Sequence, residues 1–324
     1  MVGANSETLP PVRYRGQLSR FPCDSALRRP LANRPGVHHA RPTLRRALAL
    51  IVLLPALAAA EKPRWEALPM PPPMPKAEAS GHVEVGGGAR IYYATYGKPA
   101  APPVILLHGG LGNGDHFGYQ VPALAEKFRV IAIDSRGQGR STLAKGKLSY
   151  QAMAADVVAV MDALRLPKAS IAGWSDGGAI ALALGIGFGD RVDKLFVFGT
   201  NYDRFGSKSR TTSSATFNAY AAKCRSDFQR IAKSPKAYDA AVAALLPVWR
   251  DPTSFTKEQL RSIKAPTLVA DGDHDEVIEL AQVKEMATLI PNGRLAVLKD
   301  TSHFALWQDP AAFNKVLVEF LSSR

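Results

Sequence analysis

A doubly wound, mostly parallel α/β sheet with an inserted helical cap is the fold class this sequence predicts, and three observations predict it. From residue 89 onward, short apolar runs rich in β-branched and aromatic residues alternate with helical patterns. These runs are apolar almost throughout, as strands covered on both faces are. One interval, residues 201 to about 264, carries no strand and reads as an insertion between the strands at about 194–200 and 266–271.

Taken in order, the strands are ARIYYATYG (89–97), PVILLHG (103–109), RVIAID (129–134), ASIAGW (169–174), KLFVFGT (194–200), PTLVAD (266–271) and GRLAVL (293–298). Helical patterns lie between them near 116–127, 149–165, 176–187, 279–289 and 309–323. Parallel strands need crossovers of this length, and the helices then cover both faces of the sheet. The inserted interval holds ATFNAYAAKCRSDFQRIAK and KAYDAAVAALLPVW, both helical in pattern. Placed at the carboxyl ends of the strands, it forms a cap over the region where open α/β sheets bind ligands. Its Phe217, Tyr220, Phe228, Tyr238, Leu245, Leu246 and Trp249 have spacings that read as packing between cap and core.

The chain of 324 residues is 46% hydrophobic, enough for one large core. A net charge of +13 raises nucleic acid or an anionic membrane as partners, but residues 1–60 carry nine arginines against Glu7 and Asp24. No basic stripe interleaved with aromatics follows this leader, so nucleic acid is not an expected partner. Within the leader, Arg45 and Arg46 precede a 14-residue apolar run that ends at Ala60, with small Ala58 and Ala60 before the junction. That is the pattern of a signal peptide cleaved near Ala60. The run falls short of the roughly 20 residues a spanning helix needs, so the expectation is a periplasmic or secreted protein without a stable membrane anchor. A signal peptide begins near the amino terminus, so translation is expected to start nearer Val37 or Leu44; an organellar transit peptide is the competing reading. Residues 61–80, EKPRWEALPMPPPMPKAEAS, read as a proline-rich extended linker, and 81–324 as the folded domain with its cap at about 201–264. Cys23 lies in the leader and Cys224 stands alone after it, so no internal disulfide forms in the mature chain.

Chemistry enters at IAGWSDGGAI, residues 171–180, where a strand ends at Trp174 and a helix starts after Ser175. A sharp strand-to-helix turn strains its central residue and leaves no room for side chains two positions either side, which a G-x-S-x-G pattern satisfies. A serine hydroxyl needs a base, and the base needs an orienting carboxylate. Among the histidines, His303 in DTSHFALWQDP follows the last strand, at the same strand-end face as Ser175; His38 and His39 fall in the leader, His82 precedes the main sheet, and His116 and His274 sit in loops. His108, in HGG, reads as structural. Carboxylates come from ADGDHDEVI after the penultimate strand, which offers Asp271, Asp273 and Asp275. Those alternate aspartates do not make a calcium loop, because Glu276 and Gln282 stand where glycine and a bidentate glutamate are required. DSRGQGRS, residues 134–141, lacks the lysine and spacing of a P-loop and reads as a structural turn.

With LLHGGLG, DSRGQGRS, GWSDGG and GDHDEVI followed by TSHF in register over about residues 82–324, the sequence resembles the α/β-hydrolase fold family, specifically its capped serine hydrolases. The resemblance implies a triad of Ser175, Asp275 and His303, with Asp203 as the fallback acid. It also implies an oxyanion hole made by the amides of Asp176 and Gly110, with Leu111 as second choice for the latter. No cofactor and no metal are implied. The expected reaction is cleavage of a small ester through an acyl-enzyme. Lactonase, C–C bond hydrolase, amidase or aminopeptidase, and cofactor-free perhydrolase are the alternatives, and a ligand-sensing receptor of the same fold is the non-enzymatic one. Serine rather than aspartate at the centre of the turn argues against dehalogenase and epoxide hydrolase chemistry. GWSDGG also resembles hydrolases of amino-acid esters, in which a nearby carboxylate attracts a substrate ammonium. With His303 near its ordinary pKa, activity is expected to rise at about pH 6 to 7.

Overall fold

A computed structural model describes residues 62–323 apart from 144, 210, 233–234 and 252–254. The signal peptide, its cleavage near Ala60 and the alternative translation starts lie outside the described residues. Eight strands form one sheet in the order β1-β2-β4-β3-β5-β6-β7-β8. They are β1 (Ala79–Val85), β2 (Ala89–Tyr96), β3 (Pro103–Leu107), β4 (Arg129–Ile133), β5 (Ala169–Trp174), β6 (Val192–Phe198), β7 (Thr267–Gly272) and β8 (Gly293–Leu298). Strands β3 to β8 run parallel, and β2 joins the sheet antiparallel to β4.

The central strands are apolar because helices cover both faces: every residue of β5 and of β7 is buried. The helices of the main layers are α1 (Gln120–Ala125), α2 (Tyr150–Ala163), α3 (Asp176–Gly187), α7 (Leu280–Leu289), α8 (Ala305–Gln308) and α9 (Pro310–Ser322). Between β6 and β7 lie α4 (Ala215–Ile231), α5 (Pro235–Trp249) and the short α6 (Lys257–Arg261), the helical insertion the sequence predicts. Ser214 caps α4 and Thr256 with Gln259 forms a capping box on α6, so both starts are fixed by local side chains. Among the described residues no helix is long and apolar enough to cross a membrane.

Two features depart from the sequence reading. Strand β1 is an additional edge strand, paired antiparallel with β2 from Ala79↔Thr95 to Val85↔Ala89 across a three-glycine turn. Its sequence, ASGHVEV, is exposed at alternate positions and lacks the continuous apolar signature of the inner strands. The proline-rich segment before it is extended, yet it is laid against the domain rather than free. Leu68, Met74 and Ala77 pack on the core, and an added Cβ at Gly118 would lie 2.0 Å from the Pro72 carbonyl oxygen. Only a glycine at 118 leaves room for that close backbone approach.

Candidate active site

Ser175 sits between β5 and α3 with φ 56° and ψ −121°, a strained conformation for a residue with a side chain. Neighbouring glycines are demanded by contact rather than by flexibility. A Cβ at Gly173 would meet the Gly177 carbonyl oxygen at 2.1 Å, and one at Gly177 would meet the Leu107 carbonyl oxygen at 2.0 Å. The turn is pinned from below, where the Ser175 amide donates to Phe198 O at 2.8 Å and the Thr200 hydroxyl donates to Ser175 O at 2.8 Å.

Asp275 and His303 come from the loops that follow β7 and β8. His303 Nδ1 lies 2.7 Å from Asp275 Oδ2. The other carboxylate oxygen, Oδ1, accepts from the amides of Val277 at 2.5 Å and Ile278 at 2.7 Å, which fixes the carboxylate plane. Burial alone would lower the His303 pKa, but the adjacent Asp275 charge and hydrogen bond outweigh it and hold the imidazole above its ordinary 6.5. This moves the expected rise of activity upward from the pH 6 to 7 that an unperturbed histidine implies. Burial would raise Asp275, and the His303 charge and bond, with bonds from Asp271 and the Ile278 amide, overcome that and hold it below the ordinary carboxylate range. His303 is fixed by its backbone as well: Trp174 Nε1 donates to its carbonyl at 2.9 Å, and its amide donates to Glu276 Oε2 at 3.2 Å.

The other sequence candidates fall into distinct places. Asp203 caps the short turn at Arg204–Gly206 and accepts from Gln282 Nε2 at 2.7 Å, so its carboxylate is engaged away from His303. Asp273 accepts from His274 and from the Thr301 amide. Asp271 is fully buried behind Asp275, and burial together with the Asp275 charge pushes its pKa well above the carboxylate range. His108 is held as a neutral ring that donates from Nδ1 to Gly109 O and accepts the Ser135 amide at Nε2, and burial lowers its pKa to about 3. Asp134 of the DSRGQGRS turn accepts from the amides of Gly114 and Arg140, as a structural turn residue does.

Ser175, Asp176, Gly110, Leu111 and His303 line one cavity of about 290 Å³ beneath the cap. The LLHGGLG turn closes through Gly112 N to Gly109 O at 3.0 Å, with Leu111 at φ 62°. Phe217, Tyr220, Tyr238 and Trp249 of the cap also line the cavity, beyond the packing their spacing favours; Phe228 and Leu245 are buried. Tyr220 donates its hydroxyl to Gly110 O at 2.9 Å, tying the cap to the turn beside the serine. Asp176 presents its carboxylate to the cavity, where it accepts from Tyr150 OH at 2.8 Å and from Trp249 Nε1 at 2.9 Å. Burial raises its pKa, partly offset by these two donors. Sequence reasoning missed Tyr150 and Glu276. Tyr150 opens α2 with no motif around it, and Glu276, adjacent to Asp275, accepts from Thr216 and Ser214 at the start of α4, contacts that no motif announces.

A parallel sheet with a helical insertion before β7 and a glycine-lined turn between β5 and α3, whose Ser175 shares one cavity with His303, fits the α/β-hydrolase fold. The alpha/beta hydrolase fold profile matches residues 102–227. A protein from Caulobacter sp. (strain K31) assigned the name carbamate hydrolase RutD is 30% identical over 264 residues, covering 72% of this chain and 96% of that protein. The 2-hydroxy-6-oxo-2,4-heptadienoate hydrolase of Pseudomonas putida (strain F1) is 25% identical over 268 residues, covering 75% and 96%. Among solved structures, an N-acyl homoserine lactone degrading enzyme superposes with a TM-score of 0.62 at 30% identity, covering 74% of this chain and 100% of that one. The chain belongs to the α/β-hydrolase fold family, a family of hydrolases.

Proposed function

We propose that this hydrolase cleaves small carboxylic esters through an acyl-enzyme, with Ser175 as nucleophile, His303 as general base and then acid, and Asp275 as the residue that orients His303. The observation that carries the reading is the 2.7 Å bond from buried Asp275 to His303, which lines the same cavity as Ser175. Asp275 holds the proton of His303 on Nδ1, which leaves Nε2 as the acceptor for the serine proton. The amides of Gly110 and Asp176 then stabilise the oxyanion, and water releases the acyl group. Lactones fall within the same chemistry, since a lactone is a cyclic ester, and the solved lactone-degrading relative supports testing them. Carbamates and vinylogous C–C substrates enter through the two curated relatives. The decisive experiment is hydrolysis of p-nitrophenyl acetate by Ser175→Ala. A loss on the order of a millionfold in kcat is expected for a triad nucleophile, and an unchanged rate would overturn the assignment.

A second reading concerns the acyl group. Asp176 faces the cavity with two neutral donors, and among the described residues no lysine or arginine is recorded as its ion-pair partner. A substrate ammonium fits that position, so an amino-acid ester should be preferred over its des-amino analogue. Asp176→Asn should abolish that preference, measured as the ratio of kcat/KM between the amino-acid ester and its des-amino analogue, a ratio in which any loss common to both substrates cancels.

A further inference from the structure

We propose that the segment around Trp65, together with Gln308, is a positioning clamp that holds the Asp275 and His303 loops in register. The inference rests on those two residues forming the catalytic pair. Trp65 belongs to a single helical turn, Arg64–Glu66, that precedes the sheet by more than ten residues and lies against both loops. On one side its indole stacks on the His274 ring, with centroids 3.8 Å apart and planes inclined by 17°. His274 directly precedes Asp275. Its ring nitrogen pairs with Asp273 Oδ1 at 2.8 Å and its amide donates to Thr301 O at 2.9 Å, so the stacked ring belongs to the junction of the two loops.

On the other side the contact runs through Gln308, at the end of α8. Its Nε2 donates to Ala67 O at 2.8 Å, to Trp65 O at 3.2 Å and to Ser302 Oγ at 3.0 Å, while its Oε1 accepts the Ser302 amide at 2.7 Å. Ser302 is the neighbour of His303. The buried amide of Gln308 therefore spends its hydrogen bonds on the clamp segment and on the residue before the base. Without Trp65 O and Ala67 O, its NH2 group would lose two of three acceptors in a buried setting, and the Ser302 backbone would lose its fixed partner. The ion pair of Arg64 with Asp309 is half-exposed and adds little to this. Further along, the close passage of Pro72 over Gly118 anchors the segment at a second point, so the clamp is held at both ends.

Positioning matters here because a misplacement of about 1 Å costs roughly 100-fold when a base must meet a nucleophile. The test uses full-length protein carrying Trp65→Ala, Trp65→Phe or Gln308→Ala, with kcat and KM on p-nitrophenyl acetate and the thermal midpoint measured for each. Assays are run well below every midpoint. Trp65→Ala and Gln308→Ala should lower kcat about 10- to 100-fold with KM within about twofold of the parent. Trp65→Phe, which keeps a ring on His274, should recover most of the rate. A merely structural segment would lower the midpoint and leave kcat of the folded protein unchanged, and that result in both alanine variants overturns the clamp. A raised KM with unchanged kcat overturns it too. If Trp65→Ala does not fold, Gln308→Ala decides. Ser175→Ala, assayed alongside, separates the two layers: an active Ser175→Ala removes the triad itself, whereas an inactive one beside fully active Trp65→Ala and Gln308→Ala removes the clamp alone.

Discussion

Replacing Asp275 by asparagine tests the proposed proton relay where it is best defined. The substitution keeps the shape of the side chain while removing the charge that His303 Nδ1 meets at 2.7 Å. During acyl transfer the imidazole becomes an imidazolium, and its attraction to Asp275 is worth about 4 kcal/mol at an effective dielectric near 20. The charged hydrogen bond contributes about 1.5–3 kcal/mol more. A loss of about 6 kcal/mol from the transition state corresponds to a fall in kcat on the order of 10⁴. The pH profile supplies an independent sign. In the parent, burial lowers the His303 pKa and Asp275 more than restores it, so the acidic limb lies above 6.5 and activity is lost as pH falls through it. Without the Asp275 charge and bond, only Glu276 and Asp176 are left to oppose burial, so the limb of the variant should move to lower pH even as the plateau collapses. The assay is kcat against pH from about 5 to 9 for both proteins, with circular dichroism to verify folding. A variant that keeps more than a tenth of the parent kcat, or whose limb moves upward, would refute the reasoning.

Further outcomes follow from single contacts. Tyr220→Phe removes the donor to Gly110 O and leaves the packing intact, so kcat should fall about five- to tenfold with KM little changed in steady-state kinetics, about 1 kcal/mol of lost hydrogen bonding. Gly177→Ala drives a methyl to 2.0 Å from the Leu107 carbonyl, a backbone atom that cannot yield. Destabilisation of about 3 kcal/mol or more is expected, lowering the calorimetric midpoint by roughly 6–12 °C. Asp271, buried with its pKa pushed up first by burial and then by Asp275, keeps its proton in the folded state over a range where the unfolded chain has lost it. Its contribution to stability should therefore decline as pH rises above about 4, the ordinary carboxylate pKa. Asp271→Asn, which cannot ionise, should flatten that decline in urea titrations at stepped pH.

What the sequence disclosed was set by how local each requirement is. Ser175 and its glycines were legible because the turn must clear the Leu107 and Gly177 carbonyls within a few residues of chain. The inner strands were legible because burial on both faces leaves a continuous apolar signature. Edge strand β1 escaped because one exposed face breaks that signature. Asp275 could not be separated from Asp271 and Asp273 by the residues alone, since all three end one strand and only the family resemblance favoured the third. The structure distinguishes them by partner: amides and His303 for Asp275, burial for Asp271, and His274 for Asp273.

Side chains whose partners are invisible in the sequence act across the fold. Tyr150 reaches Asp176 from α2, Glu276 joins the His303 amide to the start of α4, and Tyr220 joins the cap to the glycine turn. Each is a polar group whose partner lies far away in sequence or in another layer, so no spacing rule announces it. The Glu276 and Tyr220 contacts tie the cavity wall to α4 of the cap. It follows that near Tyr220 substrate choice and rate should vary together: a cap substitution that reshapes the pocket there also disturbs the Gly110 peptide of the proposed oxyanion hole. Cap variants at Phe217 or Tyr238, which line the cavity without those bonds, should instead move KM among substrates while leaving kcat on the best one nearly constant.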